Sequence, residues 1–114
     1  MEMVEKLVQE NLNSYNNMDI ETYMDSFSED IELHAFYENK PLLVGLKAFR
    51  EFYEKLFEES PQLHSTVLKR IVFENTVIDH ERILGRQGMT GAFEIVMLYE
   101  VENEKISRMT VLRK

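Results

Sequence analysis

The chain has 114 residues, of which 44% are hydrophobic and 30% charged, a size and composition typical of one domain with a single packed core. Thirteen Lys and Arg against twenty-one Asp and Glu give a formal net charge of −8, which repels phosphate and argues against a nucleic-acid partner. The absence of cysteine excludes disulfides, thiol nucleophiles and thiolate metal sites. The sequence shows no signal peptide and no apolar run of the ~18 residues that a membrane span needs, so we expect a cytoplasmic protein.

Three helices are predicted in the first half of the chain. Residues 2–16 carry apolar side chains at three- and four-residue spacing, and Asn16-Asn17 ends that pattern. Asp19 is placed to cap a short second helix. The segment 46–57 repeats the helical spacing with many aromatic residues, and Ser60-Pro61 ends it because proline cannot continue the backbone hydrogen-bond ladder.

Five strands are predicted from the alternation of apolar and polar residues. The first is residues 31–36, and the stretch 37–45, which contains asparagine, proline and glycine, is predicted to be a loop. The second half of the chain changes to a period of two and predicts a four-stranded meander, formed by residues 64–73, 77–84, 93–101 and 106–112.

Two-residue turns within the meander predict specific cross-strand pairs. Arg70 would face Asp79 across the first turn, and Tyr99 would face Arg108 across the last. The sequence contains no internal repeat and no linker, so residues 1–114 are predicted to form a single domain.

The order of these elements resembles that of the nuclear transport factor 2-like superfamily, in its SnoaL-like and steroid Δ-isomerase-like branch. The resemblance implies an α+β, cystatin-like roll in which three N-terminal helices pack on a curved, mixed or antiparallel sheet around a pocket. It also implies a homodimer through the convex sheet face, which fits the apolar residues on both faces of the strand 93–101. The residues that carry the resemblance are Tyr15-Asn16-Asn17-Met18-Asp19, Phe27-Ser28-Glu29-Asp30-Ile31 and Gly45-Leu46-Lys47-Ala48-Phe49-Arg50-Glu51-Phe52-Tyr53.

The catalytic positions that the resemblance implies for the isomerase branch are not matched. That branch uses an aspartate base, a tyrosine and a protonated acid. An ungapped alignment places these positions on Ala35, Asn11 and Met97, respectively. Alanine cannot accept a proton and methionine cannot donate one, so the known steroid isomerase mechanism is disfavoured.

Four residues are candidates for a different proton-transfer site. His34 lies next to the missing base, although alternation would turn it away from the pocket if Ala35 faces inward. His64 begins a strand near the expected pocket mouth, and it is equally well explained as a surface histidine. Asp79 is either an inward general base or one half of an ion pair with Arg70. Tyr99, on the same face as Met97, is either a hydroxyl donor to a ligand carbonyl or a core tyrosine.

Aromatic and methionine side chains are abundant enough that some are expected to line a cavity for a flat or apolar small molecule. The three histidines lack short metal-ligand spacing, and no nucleotide-binding or serine-hydrolase motif is present, so neither a metal nor a cofactor is expected. The residues predicted to line the pocket are Tyr15, Tyr23, Phe27, Phe36, Phe49, Tyr53, Phe57, Met97 and Arg108.

Three functions remain open from the sequence. The first is a small-molecule pocket protein that binds or acts on a small apolar or carbonyl compound. The second is a cofactor-independent isomerase or cyclase, with Asp79, His64 or His34 as the base. The third is a non-catalytic dimeric interaction module. An inward titratable group within hydrogen-bond reach of a hydroxyl would favour the enzyme.

Overall fold

A six-stranded curved sheet forms the body of the domain in this computed structural model, which describes residues 2–113. The strand order is β2-β1-β6-β5-β4-β3, and only the pair β1 and β6 is parallel. The strands are β1 (Phe27–Ala35), β2 (Pro41–Val44), β3 (His64–Phe73), β4 (Thr76–Leu84), β5 (Phe93–Glu102) and β6 (Lys105–Leu112).

Three helices cover the concave face of this sheet: α1 (Met3–Asn16), α2 (Ile20–Asp25) and α3 (Gly45–Glu59). The predicted cap of the second helix is confirmed, since the Asp19 carboxylate accepts a hydrogen bond from the Thr22 backbone N–H at 3.2 Å. Gly45 begins α3 with φ +87°, a left-handed conformation that glycine adopts without strain. The predicted α+β roll of three helices on a curved mixed sheet is confirmed.

Two boundaries in the first half of the sheet differ from the prediction. β1 begins at Phe27, four residues early, because Phe27 pairs with Ile106 of β6 before the apolar alternation starts. The segment 37–45 is not only a loop, since Pro41–Val44 form β2 at the edge of the sheet. Its mostly exposed side chains and its proline, which is tolerated at a sheet edge, explain why the pattern was weak.

The predicted pair in the first hairpin is confirmed, and the predicted Tyr99–Arg108 pair in the last hairpin is wrong. Arg70 faces Asp79 across the β3–β4 hairpin, as expected. At the β5–β6 hairpin the register shifts beside Glu100, where Ser107 takes an extra place in β6. Arg108 therefore faces Glu100, and Tyr99 faces Met109 instead of Arg108.

The core lies between the helices and the concave face of the sheet. Its centre is an aromatic cluster around Tyr23, whose ring centroid is 5.0 Å from that of Phe27 and 4.8 Å from that of Tyr53. Phe49 and Phe57 complete the cluster and are almost fully buried. Among residues 2–113, no helix is both long enough and apolar enough to span a membrane.

Candidate functional site

A cavity of about 410 Å³ opens between the three helices and the concave face of the sheet. Its volume is within the usual range for small-molecule sites, roughly 300–1,000 Å³. Most of its wall is apolar, and Glu81 is the one acidic residue that lines it within the described chain. The lining residues are Asn11, Leu12, Tyr15, Tyr23, Leu33, Leu42, Leu43, Phe52, Tyr53, Leu56, Glu81, Ile83, Arg86, Ile95, Met97, Tyr99, Met109, Val111 and Arg113.

Glu81 is the polar centre of this cavity. It lies on the concave face of β4 and is only 4% exposed. The Ser65 hydroxyl donates to one carboxylate oxygen at 2.7 Å, and the Tyr99 hydroxyl donates to the other at 3.0 Å. No Lys, Arg or His side chain forms an ion pair with Glu81 in the described part of the chain. It is therefore a buried carboxyl group held by two neutral hydroxyls.

The local fold fixes both hydroxyl donors. Ser65 lies on the edge strand β3, and the Asn16 side-chain amide at the end of α1 accepts from its backbone N–H at 2.8 Å and donates to its carbonyl at 2.9 Å. This pair of bonds replaces the missing neighbouring strand and directs the Ser65 side chain inward. Tyr99 is 3% exposed in the middle of β5, packed between its neighbours on two strands.

Burial raises the pKa of Glu81 to about 6, and the nearby charge of Asp79 adds to the rise. The hydrogen bonds from Ser65 and Tyr99 and the charge of Arg70 act in the opposite direction. A carboxylate with this pKa is mostly ionised near neutral pH and is more basic than an ordinary glutamate. That combination is what a general base needs.

Tyrosine hydroxyls surround the same space. Burial raises the pKa of both Tyr15 and Tyr53, so each retains its proton at neutral pH. The Tyr53 ring packs against that of Tyr23, with 4.8 Å between the ring centroids. Tyr15 and Tyr53 both line the cavity and can serve as hydrogen-bond donors to a bound oxygen atom.

Asp79 lies on the same face of β4 as Glu81 but has a different environment. It is fully buried and forms a two-pronged ion pair with Arg70, at 2.7 Å and 2.9 Å. Arg70 also donates to Gln9 of α1 at 2.8 Å, so α1 covers this pair. Asp79 is not part of the cavity lining, and the ion-pair interpretation describes it. Because both of its oxygens are bound by a guanidinium outside the cavity, the structure gives no support to Asp79 as an inward base.

Neither histidine candidate belongs to the cavity. His34 pairs with Thr110 on the convex side of the sheet, where its ring bonds the Glu32 carboxylate at 2.7 Å. His64 is exposed and precedes the inward Ser65, so alternation directs it outward. Among the four predicted candidates, only Tyr99 lines the cavity.

The predicted lining residues separate into three groups. The cavity wall includes Tyr15, Tyr23, Tyr53 and Met97. The buried core between helices and sheet, rather than the cavity wall, holds Phe27, Phe49 and Phe57. The predictions for Phe36 and Arg108 are wrong, because Phe36 follows the end of β1 and is 54% exposed, while the extra residue in β6 turns Arg108 to the convex face.

Sequence reasoning missed Glu81, although alternation had already placed it on the face of Asp79. One sequence signal distinguished the two: the predicted hairpin register gives Asp79 an arginine partner and gives Glu81 none. In the structure Glu81 faces Val67 on β3 and Ile95 on β5. Within residues 2–113, no group of three His, Asp or Glu side chains is arranged to hold a metal ion.

Residues 8–109 match the protein family described as SnoaL-like domain. The chain belongs to the SnoaL-like family. Of the three isomerase positions, Asn11 and Met97 line the cavity of this SnoaL-like protein without supplying an acid or a phenol. The one carboxyl group of the described cavity lining, Glu81, therefore stands at a position that the family resemblance had not indicated.

Solved structures with similar folds accompany this family assignment. An uncharacterised cystatin-fold protein from Novosphingobium aromaticivorans has 22% identity and a TM-score of 0.87, with 99% of each chain covered. A candidate ketosteroid isomerase from Kribbella flavida has 15% identity and a TM-score of 0.81, covering 98% of this chain and 78% of that one. An LEH-like epoxide hydrolase from Mycobacterium tuberculosis has 11% identity and a TM-score of 0.81, covering 98% and 83%. At these low identities, the TM-scores of 0.81 and 0.87 show a shared fold. No curated protein matches the sequence at a significant level.

Proposed function

We propose that this SnoaL-like protein is a cofactor-independent enzyme that moves a proton on a small, largely apolar carbonyl compound, with Glu81 as the general base. The observation that carries the proposal is the environment of Glu81, an unpaired carboxyl group 4% exposed at the wall of an apolar cavity. Burying such a group without a cation costs stability, and such costs are commonly found where a site has a chemical task.

The proposed reaction uses one base and one or two hydroxyl donors. Glu81 removes a proton from the carbon beside the carbonyl group, and the electron pair of that C–H bond moves to form the enolate. Tyr15 or Tyr53 donates a hydrogen bond to the enolate oxygen, where negative charge develops. Glu81 then returns its proton to the same carbon or to a conjugated one. Tyr99 and Ser65 keep the carboxylate in place throughout.

The names of the similar structures support an enzymatic role without naming a reaction. One is called a candidate ketosteroid isomerase and another an epoxide hydrolase. The missing isomerase residues at positions 11, 35 and 97 argue that this chain would place its base elsewhere on the same scaffold. Glu81 fits that role because it shares the cavity wall with Met97.

Deuterium exchange of a ketone tests the proposal. β-Tetralone, a flat and apolar ketone, is incubated with the protein in deuterium oxide, and loss of its α-proton signals is followed by NMR. We expect exchange faster than in buffer, and we expect Glu81→Gln to reduce the protein-dependent rate by about a hundredfold or more, as for removal of a general base. Binding of the ketone should persist in this variant, since the amide has the same shape.

Glu100→Gln is the matched control, because it removes a carboxylate from the convex side of the sheet. It should exchange the ketone protons as fast as the unmodified protein. Two results would contradict the proposal. One is full exchange activity in Glu81→Gln. The other is tight binding of the ketone by the unmodified protein with exchange no faster than in buffer, which would indicate a binding protein.

A further inference from the structure

We infer that the natural ligand is an organic anion with an apolar body, whose charged end is bound between Arg86 and Arg113 at the mouth of the cavity. The inference rests on the proposed function, because it concerns the same cavity. It adds the chemical class of the ligand and the direction in which the ligand binds. It is carried by the placement of the two arginines and by the charge of the cavity wall opposite them.

Arg86 and Arg113 stand where the cavity meets the protein surface. Both line the cavity, and both also line a second, open cleft beside the 85–92 loop. They are the two cationic residues of the described cavity lining. Two apolar lining residues, Leu42 and Phe52, are also exposed at the surface. A ligand that enters from the surface therefore meets two guanidinium groups and exposed hydrocarbon.

Within residues 2–113, neither of these two guanidinium groups forms an ion pair with a carboxylate. In the described part of the chain, Arg50, Arg70 and Arg108 pair with carboxylates, whereas Arg82, Arg86 and Arg113 do not. Of these three, Arg86 and Arg113 line the cavity. In a protein with a net charge of −8, acidic partners are plentiful. Two arginines left without one at a cavity mouth can form charge-assisted, two-pronged bonds to a carboxylate, sulfate or phosphate group.

The backbone holds Arg86 in place from both sides. On one side, Gly85 has φ +76° and lies so close to the Gln62 backbone that no side chain would fit there. On the other, the Gln87 N–H donates to the hydroxyl of Ser60, which is 1% exposed, at 2.9 Å. The Arg86 carbonyl then closes a turn by accepting from the Met89 N–H at 3.0 Å. The position of this arginine is therefore built into the fold, which lowers the cost of ordering it around a ligand.

Glu81 sets the direction in which such a ligand binds. The ionised carboxylate on the cavity wall repels an anionic group, and the two arginines at the mouth attract it. Burial raises the pKa of Tyr53, and the Arg86 guanidinium opposes that rise, which places Arg86 within electrostatic reach of the inner cavity. The charged end of the ligand thus stays at the mouth, and its apolar body points toward Glu81, Tyr15 and Tyr53.

A pair of probes that differ only in charge tests this inference. Naphthaleneacetate and naphthaleneethanol share one apolar body, and the chain contains no tryptophan, so naphthalene fluorescence reports binding of each. We expect the anion to bind more tightly than the alcohol. The double variant Arg86→Gln/Arg113→Gln should weaken binding of the anion by about tenfold or more, as expected for lost charge-assisted bonds, and leave the alcohol unchanged.

The matched control is Arg50→Gln/Arg108→Gln, which removes two arginine charges from residues that line neither the cavity nor the cleft. It should leave the affinities of both probes nearly unchanged. Equal binding of the two probes, or equal loss in both double variants, would overturn the anionic ligand and leave the proposed apolar cavity intact. Failure of both probes to bind the unmodified protein would overturn the cavity's role and the inference together.

Discussion

The buried Glu81 should make the protein less stable at neutral pH than at mildly acidic pH, and replacing it should reveal by how much. Its pKa rises from 4.5 in the unfolded chain to about 6 in the folded protein, mainly through burial. The folded state therefore holds a proton in a pH range where the unfolded state has released it. The stabilising effect of that proton is fully present below pH 4.5 and is lost as the pH rises through 6.

The size of the effect follows from the same two values. A difference of 1.5 pKa units between 4.5 and about 6 corresponds to about 2 kcal/mol of unfolding free energy. Glu81→Gln has no proton to lose, and its amide oxygen can still accept from Ser65 or Tyr99. The free energy of unfolding of the variant, relative to that of the unmodified protein, should therefore rise by about 2 kcal/mol when the pH is raised from below 4.5 to above 6.

Urea unfolding followed by far-UV circular dichroism, at several pH values and one protein concentration, measures this difference directly. Comparing the two proteins at each pH cancels the titration of every other group. A difference in unfolding free energy that stays constant with pH would refute the reasoning, because Glu81 would then titrate like a solvated glutamate. A gain for the variant only at high pH would identify Glu81 as a residue that the protein retains at a cost to its stability.

Two further predictions concern the loop that carries Arg86 and the convex face of the sheet. Gly85→Ala should lower the free energy of unfolding in urea by about 3 kcal/mol or more, because its new methyl group would overlap the Gln62 backbone at a positive φ. Gly88→Ala, which also has a positive φ but open space around it, should lower it by about 1 kcal/mol. Equal losses would show that the backbone contact of Gly85 does not matter. Sedimentation should give twice the 13.6 kDa chain mass, because a row of apolar residues that includes Ile71, Ile78 and Leu98 crosses the convex face. Leu98→Glu should give the single-chain mass and keep the far-UV spectrum of the unmodified protein. A single-chain mass for the unmodified protein would refute the predicted homodimer.

Elements set by local periodicity could be predicted from the sequence. Residues 2–16 were expected to be helical and α1 spans Met3–Asn16, because the apolar spacing and the asparagines that follow are both local signals. The Arg70–Asp79 register was also local, fixed by a two-residue turn. β2 was not predicted, because most side chains of this edge strand are exposed and therefore show no alternation of apolar and polar residues.

The site was harder to predict because it depends on which side chains are covered by other elements, and not only on which face of a strand they occupy. Alternation placed Asp79 and Glu81 on the same side of β4, but only the packing of α1 over Arg70 shows which one is covered. The position of Tyr99 relative to β6 depended on the extra residue Ser107, which no turn or hydrophobic pattern announces. Such irregularities arise from the curvature of the whole sheet, so they appear only when all strands are assembled.

The parallel pairing of β1 with β6 has a consequence for how the protein is made. Phe27 at the start of β1 meets Ile106 in β6, so this contact closes a loop that contains most of the chain. Until residues 105–112 have left the ribosome, β1 and β5 lack the strand that joins them, and the cavity lacks Met109 and Val111 from its wall. Until then the chain exposes two unpaired strand edges, and the long-range β1–β6 contact is of the kind that slows folding in small domains.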